Sequence, residues 1–150
     1  MNSDYQHSKA DADCADFADE RGKNTLLYGD TTRVILGAFF AVHCELGAGF
    51  LEAVYANALT VLLHHGGLKV ERQVPFEIVF HGQRIGRYRA DLVVESIIVV
   101  EIKAFHSIVS QHSIQLLNYL KASGLQVGLL LNFGAKAEFK RVVCTRNPPR

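Results

Sequence analysis

The chain has 150 residues, 49% of them apolar and 21% charged, enough for one folded domain with its own hydrophobic core. No apolar run approaches the ~20 residues needed to cross a bilayer, and no secretory signal pattern is visible, so we expect a cytoplasmic protein without membrane contact. The three cysteines and seven histidines lack the close spacing of a zinc site or a redox pair, which argues against those two classes.

Charge is unevenly distributed along the chain. Residues 1–24 contain six acidic and three basic side chains, so the remainder carries +4 within a total of +1. This mild positive charge is compatible with a nucleic-acid partner but does not identify one. Residues 1–27 lack apolar periodicity, and we predict a disordered acidic tail there, followed by a folded domain over residues 28–146.

Two helices are predicted at the start of this domain. Apolar residues recur at helical spacing over residues 31–46, and the glycine at position 47 ends the helix. A second apolar helical face runs from residue 51 to residue 62 and stops at Gly66-Gly67.

Strand patterns fill the middle of the chain. Residues 70–80 alternate in character with Pro75 as a break or an edge position, and His81-Gly82-Gln83 marks a turn before a strand over residues 84–94. Residues 97–103 are almost continuously apolar, which is typical of a central strand covered on both faces.

The last predicted elements complete an α/β pattern. A helix over residues 110–122, closed by Gly124, precedes a buried strand over residues 127–131 and a final edge strand over residues 140–144. A strand, a helix and a strand of these lengths indicate a parallel crossover. We therefore predict an α/β fold with a mixed sheet and helices on both of its faces.

Three charged residues, Asp91, Glu101 and Lys103, interrupt apolar strands. Glu101 and Lys103 are two residues apart, so they project from the same face of their strand. A carboxylate and an ammonium group inside a buried strand are costly unless they are paired or bind a metal. The alternative interpretation is a surface hairpin with an ordinary ion pair between Glu101 and Lys103.

The apolar pattern of the two strands decides whether Asp91 can join this pair. If the apolar faces coincide, Leu92 lies opposite Val100 or Ile98, and Asp91 falls on the face that carries the two later charges. This register requires a loop of odd length or a bulge near residues 95–97. Two adjacent carboxylates repel each other unless a divalent cation lies between them, and Mg²⁺ is commonly held by a few carboxylates with phosphate oxygens.

An Asp, about ten further residues and then Glu-x-Lys before a βαβ unit resemble the PD-(D/E)XK nuclease superfamily. More closely, the chain is similar to the small bacterial GxxExxY family assigned to that superfamily. The resemblance covers about residues 28–144, with an alanine, Ala90, in place of the superfamily's first Pro. Its motifs are Val42-His43-Cys44-Glu45-Leu46-Gly47, Gly49-Phe50-Leu51-Glu52-Ala53-Val54-Tyr55, Glu71-Arg72-Gln73-Val74-Pro75, Tyr88-Arg89-Ala90-Asp91-Leu92, Glu101-Ile102-Lys103-Ala104 and Gln115-Leu116-Leu117-Asn118-Tyr119-Leu120.

This resemblance implies a restriction-endonuclease-like fold, with an αβββαβ core and an extra N-terminal helix. It also implies a nuclease that uses Mg²⁺ or Mn²⁺, with Asp91, Glu101 and Glu52 as metal ligands and the carbonyl of Ile102 as another. Lys103 would position or deprotonate the attacking water and stabilise the charge on the phosphorane. For Glu52 an equally good explanation is that an acid favours the first turn of any helix.

The same resemblance assigns supporting roles on the neighbouring helix and strand. Gln115 and Tyr119 share a helix face and would support the site and contact the nucleic acid, or they are ordinary helix residues. Arg87 and Arg89 share the face of Asp91 in an alternating strand, where they would meet phosphate or lie on a solvated edge.

Two functional hypotheses follow from the sequence. The first is a nuclease that hydrolyses DNA or RNA by attack of metal-activated water. The second is a non-catalytic nucleic-acid-binding or protein-assembly module on the same fold. Homodimerisation or a partner protein is compatible with both.

Overall fold

The computed structural model describes residues 26–145, which form three helices and five strands. The elements in chain order are α1 (Gly29–Leu46), α2 (Glu52–His65), β1 (Val70–Phe80), β2 (Gln83–Val94), β3 (Ile98–Lys103), α3 (Ser110–Ser123), β4 (Val127–Phe133) and β5 (Ala137–Val143). The predicted acidic tail lies almost entirely outside the described residues. None of the helices between residues 26 and 145 is long and apolar enough to cross a membrane.

The strands form one mixed sheet in the order β1-β2-β3-β4-β5. All neighbouring strands are antiparallel except β3 and β4, which are parallel and joined through α3. The predicted mixed sheet and its parallel crossover are therefore confirmed. The last strand begins at Ala137 rather than near residue 140, and it pairs along the whole of β4.

The strand β1 passes through Pro75 without interruption. Pro75 pairs with Arg89, and β1 is the first strand of the sheet, so no strand of the described part of the chain pairs with its other edge. Of the two predicted alternatives, a break or an edge position, the edge position is right. A proline is tolerated there because its missing N–H costs no hydrogen bond on an outer edge.

Helices cover both faces of the sheet and form two apolar clusters. On one face α1 and α2 pack against even-numbered residues of β2 and β3, including Leu92, Val100 and Ile102, and against odd-numbered residues of β4. On the other face α3 contributes Leu116 and Leu120, which pack with odd-numbered strand residues such as Val99 and with neighbours on β2. The apolar residues of β3 alternate between the two clusters as a strand covered on both faces requires.

A three-residue loop joins β2 and β3 and fixes their register. Glu95 and Ser96 have positive φ angles of 52° and 59°, and the amide of Ile97 donates to the carbonyl of Val94 at 3.0 Å. The loop has the odd length that the apolar pattern required, and of the two predicted partners of Leu92, Val100 and Ile98, it is Val100 that pairs with it.

Candidate metal centre

The register of β2 and β3 brings Asp91 beside Glu101. Backbone pairing runs from Val94 to Leu92 on β2, and the next position on each strand is Asp91 and Glu101. Asp91 Oδ2 accepts a hydrogen bond from the amide of Ile102 at 2.8 Å. The Asp91 carboxylate thus accepts a hydrogen bond from a β3 amide just beyond the last backbone pair between the two strands.

Glu101 is the buried member of this carboxylate pair. It is only 8% exposed, and its Oε1 has no hydrogen-bond partner among residues 26–145. Burial and, to a smaller extent, the adjacent Asp91 carboxylate raise the pKa of Glu101 from the ordinary value near 4.5, and Lys103 acts in the opposite direction, so that the pKa is about 8. A partnerless carboxylate oxygen beside a second carboxylate is a combination that a divalent cation would stabilise.

Lys103 is the last residue of β3, on the same face of the strand as Glu101. Its side chain is half-buried, and its neighbour in the parallel register is Asn132 of β4. Within residues 26–145, Lys103 forms no ion pair shorter than 4.0 Å. The alternative of an exposed hairpin with a simple Glu101–Lys103 ion pair is therefore not what the structure contains.

Tyr119 of α3 lies close enough to the two carboxylates for their negative charge to affect its pKa. Burial raises the pKa of Tyr119, and the charges of Glu101 and Asp91 raise it further. Its ring stacks on Tyr88 with centroids 3.7 Å apart and an angle of 6° between the planes. Gln115, one turn earlier on the helix, is exposed.

Tyr88 and Asn132 are residues of this region that the sequence analysis did not single out. The Tyr88 hydroxyl donates to the carbonyl of Tyr119 at 3.1 Å, which joins β2 to α3 beside the carboxylates. Asn132 is fully buried and bonds to both backbone polar groups of Phe105, two residues after Lys103. The available signal for Asn132 was a single amide inside the apolar run of residues 127–133.

Glu52 is not brought to the carboxylate pair. It is the first residue of α2, and its side chain is exposed. In the part of the chain that the structure describes, no three His, Cys, Asp or Glu side chains lie close enough to hold a metal ion together. The arrangement offers two carboxylates, so remaining ligand positions would fall to backbone oxygens, water or substrate.

Arg87 and Arg89 do not follow the face argument that grouped them with Asp91. Leu92 packs with α1 and α2, whereas Ala90 and Tyr88 pack with α3, so the alternation of β2 reverses at Asp91. The two arginines are exposed and lie between residues that face α3, so they project from the other side of the strand. A role in binding phosphate stays a prediction that this geometry does not favour.

The fold and the carboxylate pair together define a restriction-endonuclease-like α/β domain. The sequence profile of the PD-(D/E)XK nuclease superfamily matches residues 29–142. The chain belongs to this superfamily. Among curated proteins none matches the sequence. The crystal structure of SSO0001 is similar with a TM-score of 0.48 and 19% sequence identity, covering 100% of this chain and 79% of that chain.

Proposed function

We propose that the protein is a metal-dependent nuclease that hydrolyses phosphodiester bonds of DNA or RNA. The observation that carries this proposal is the buried, partnerless Glu101 Oε1 beside the Asp91 carboxylate, in a chain of a nuclease superfamily. Members of that superfamily typically use divalent metals, and hard carboxylate oxygens suit Mg²⁺ or Mn²⁺. The residues present therefore fit such an ion.

In this proposal Asp91 and Glu101 would hold the cation together with the carbonyl of Ile102, whereas Glu52, exposed at the first residue of α2, lies outside this ligand set. A bound divalent cation supplies Lewis-acid polarisation of the phosphodiester and lowers the pKa of water. Lys103 holds its proton on Nζ at the end of β3, where it orients the attacking water and offsets negative charge as it develops on phosphorus.

Supporting roles in the proposal fall to α3 and the β1–β2 hairpin. Tyr119, in the field of the two carboxylates, orients the substrate, and the exposed Gln115 one turn away contacts it. Arg87 and Arg89 are candidates for phosphate contact on the other side of β2. We also propose that the chain is a member of the GxxExxY family, because of the motif at residues 49–55. Residues 28–146 would form its one domain.

The test is cleavage of labelled single- and double-stranded DNA and RNA with Mg²⁺ or Mn²⁺. We expect Lys103→Ala to lower the rate by about 10²–10³-fold, the effect of removing one group that stabilises transition-state charge. Lys69→Ala is a control, because Lys69 directly precedes β1 and its exposed side chain forms an ion pair with Glu71 at 3.2 Å.

Two results would contradict the nuclease proposal. Equal cleavage by the wild type, Lys103→Ala and Glu101→Ala would point to a contaminating nuclease. Binding of nucleic acid without cleavage by any variant would favour the non-catalytic binding module. A homodimer or a partner protein would be sought next, by repeating the assay over a range of protein concentrations.

A further inference from the structure

Phe105 is an exposed aromatic residue two positions after Lys103. Half of its surface, 51%, is accessible to solvent. The ring stacks on His112 of α3, with centroids 5.2 Å apart and 17° between the planes, so it lies on the α3 side of the sheet. That is the side on which Glu101 and Lys103 project.

The ring of His112 is itself held in place. The amide of Val109, which precedes the first residue of α3, donates to His112 Nδ1 at 3.3 Å. One face of Phe105 therefore rests against a ring that is tied to the start of a helix. The exposed half of the Phe105 side chain remains available to a ligand.

The backbone of Phe105 is fixed from the opposite direction by β4. Asn132, with no solvent exposure, accepts from the Phe105 amide at 2.9 Å and donates to the Phe105 carbonyl at 3.0 Å. Gly134 permits this close approach, because a Cβ at that position would lie 2.5 Å from the Phe105 carbonyl oxygen. The exposed side chain of Phe105 therefore lies on a loop whose backbone is held by two hydrogen bonds to Asn132.

Through its contact with His112, Phe105 adjoins a face of α3 that leads towards the two carboxylates. His112, Gln115 and Tyr119 share one face of the helix, since they are three and four residues apart. His112 and Tyr119 are separated by about 10 Å along the helix axis.

We propose that Phe105 is a stacking platform for an unpaired nucleobase next to the phosphodiester bound at Asp91 and Glu101. The protein would therefore bind single-stranded nucleic acid. The assignment of the neighbouring phosphate rests on the proposed function. Every nucleobase has a flat apolar face, so stacking recognises an unpaired base without reading its identity. In a duplex both faces of each internal base are already covered by its neighbours, so a duplex offers this ring no base to stack on.

The sequence contains no tryptophan, which makes a direct measurement available. Phe105→Trp places the only indole of the protein at the platform, and Phe80→Trp is the matched control. Phe80 is an exposed phenylalanine, 61% accessible, that also contacts a histidine ring, but it lies at the tip of the β1–β2 hairpin. Both variants are made in a Lys103→Ala background, so that oligonucleotides stay intact in the presence of Mn²⁺.

Titration with a short oligo-deoxythymidylate is expected to quench the emission of Phe105→Trp and to leave Phe80→Trp unchanged. A fully paired duplex of the same length should quench neither. In fluorescence anisotropy with the same labelled single strand, Phe105→Ala should bind about 5- to 150-fold more weakly, the range for loss of one base–aromatic stack. Phe105→Tyr should retain binding, because the flat ring is kept.

The outcomes separate this inference from the nuclease proposal. Unquenched emission of Phe105→Trp, equal affinity of Phe105→Ala, or equal quenching by the duplex would each overturn the platform. Phe105-dependent binding of the single strand by a protein that cleaves nothing would support the platform while overturning the nuclease activity. Cleavage that depends on Lys103 but not on Phe105 would support the nuclease activity and overturn the platform.

Discussion

The two faces of the sheet differ in what they bury. The face covered by α1 and α2 is a large apolar cluster, and the buried polar side chains of these two helices, Thr32 and Thr60, carry uncharged hydroxyls. The face covered by α3 is smaller and includes or borders the buried polar side chains Glu101 and Asn132. Both faces come from the same strands, because successive residues of a strand point in opposite directions.

This difference indicates that the two faces have different roles, one in stabilising the fold and one in holding buried charged groups. Apolar packing on the α1 and α2 side supplies most of the burial that stabilises the fold. The α3 side can then hold groups whose burial is unfavourable, namely Glu101 with an unbonded oxygen and its neighbour Asp91. Substitutions on the two faces should therefore differ in kind as well as in size.

The largest effect is expected on the apolar face. Leu59→Ala removes a side chain with no solvent exposure from α2, and we expect a loss of about 2–5 kcal/mol in the free energy of unfolding. Urea denaturation measures this loss. Leu51→Ala, at a position 79% exposed, is the control and should change stability by about 0.5 kcal/mol or less. Equal losses in the two variants would refute the assignment of the core.

The second effect concerns pH and belongs to the polar face. The folded-state pKa of Glu101, about 8, exceeds its ordinary value, so the folded protein binds this proton more tightly than the unfolded chain. Without metal, the wild type should lose stability as pH rises from about 5 to about 9, and the ionisation of Glu101 should contribute on the order of 4 kcal/mol to this loss.

Glu101→Gln tests this dependence, because glutamine resembles the protonated acid and cannot ionise. We expect the variant to be more stable than the wild type at high pH and similar at low pH, in denaturation curves recorded with a chelator. Adding Mn²⁺ at high pH should stabilise the wild type more than the variant. A stability difference that is independent of pH would contradict the raised pKa.

A smaller effect is expected from the amide that holds the loop after Lys103. Asn132→Ala removes two hydrogen bonds to the Phe105 backbone, and we expect a loss of about 2 kcal/mol. Hydrogen exchange should accelerate at residues 104–107 in particular. Asn118→Ala, at an exposed position of α3, is the control for a lost amide without buried partners. Unchanged exchange in the loop would show that Asn132 does not hold it.

The smallest effect is expected at the contact between β2 and α3. Tyr88→Phe keeps the ring stacked on Tyr119 but removes the hydroxyl that donates to the Tyr119 carbonyl, at a cost of about 1 kcal/mol. Tyr88→Ala, which also removes the stack, should cost clearly more in the same thermal denaturation experiment. If the two substitutions cost the same, the stacked rings contribute little to docking α3.

Local patterns in the sequence were sufficient to predict most of the architecture. The helices, the buried strands and the parallel crossover follow from the period of apolar residues and from glycines at element ends. The apolar period of two also placed Asp91 on the face of Glu101, but it left Leu92 opposite either Val100 or Ile98, and the three-residue loop of the structure decides for Val100. The roles of these residues as metal ligands stay predictions.

Other features depend on contacts between distant parts of the chain, and only the tertiary structure decided them. The reversal of faces at Asp91, which separates Arg87 and Arg89 from the carboxylates, arises where β2 leaves the α1 and α2 cluster and turns towards α3. The bonds of Asn132 to Phe105 span 27 residues, and the exposed position of Glu52 depends on how α2 packs. Sequence periodicity determines which side of an element is apolar, but strand twist and helix packing determine which side chains finally meet.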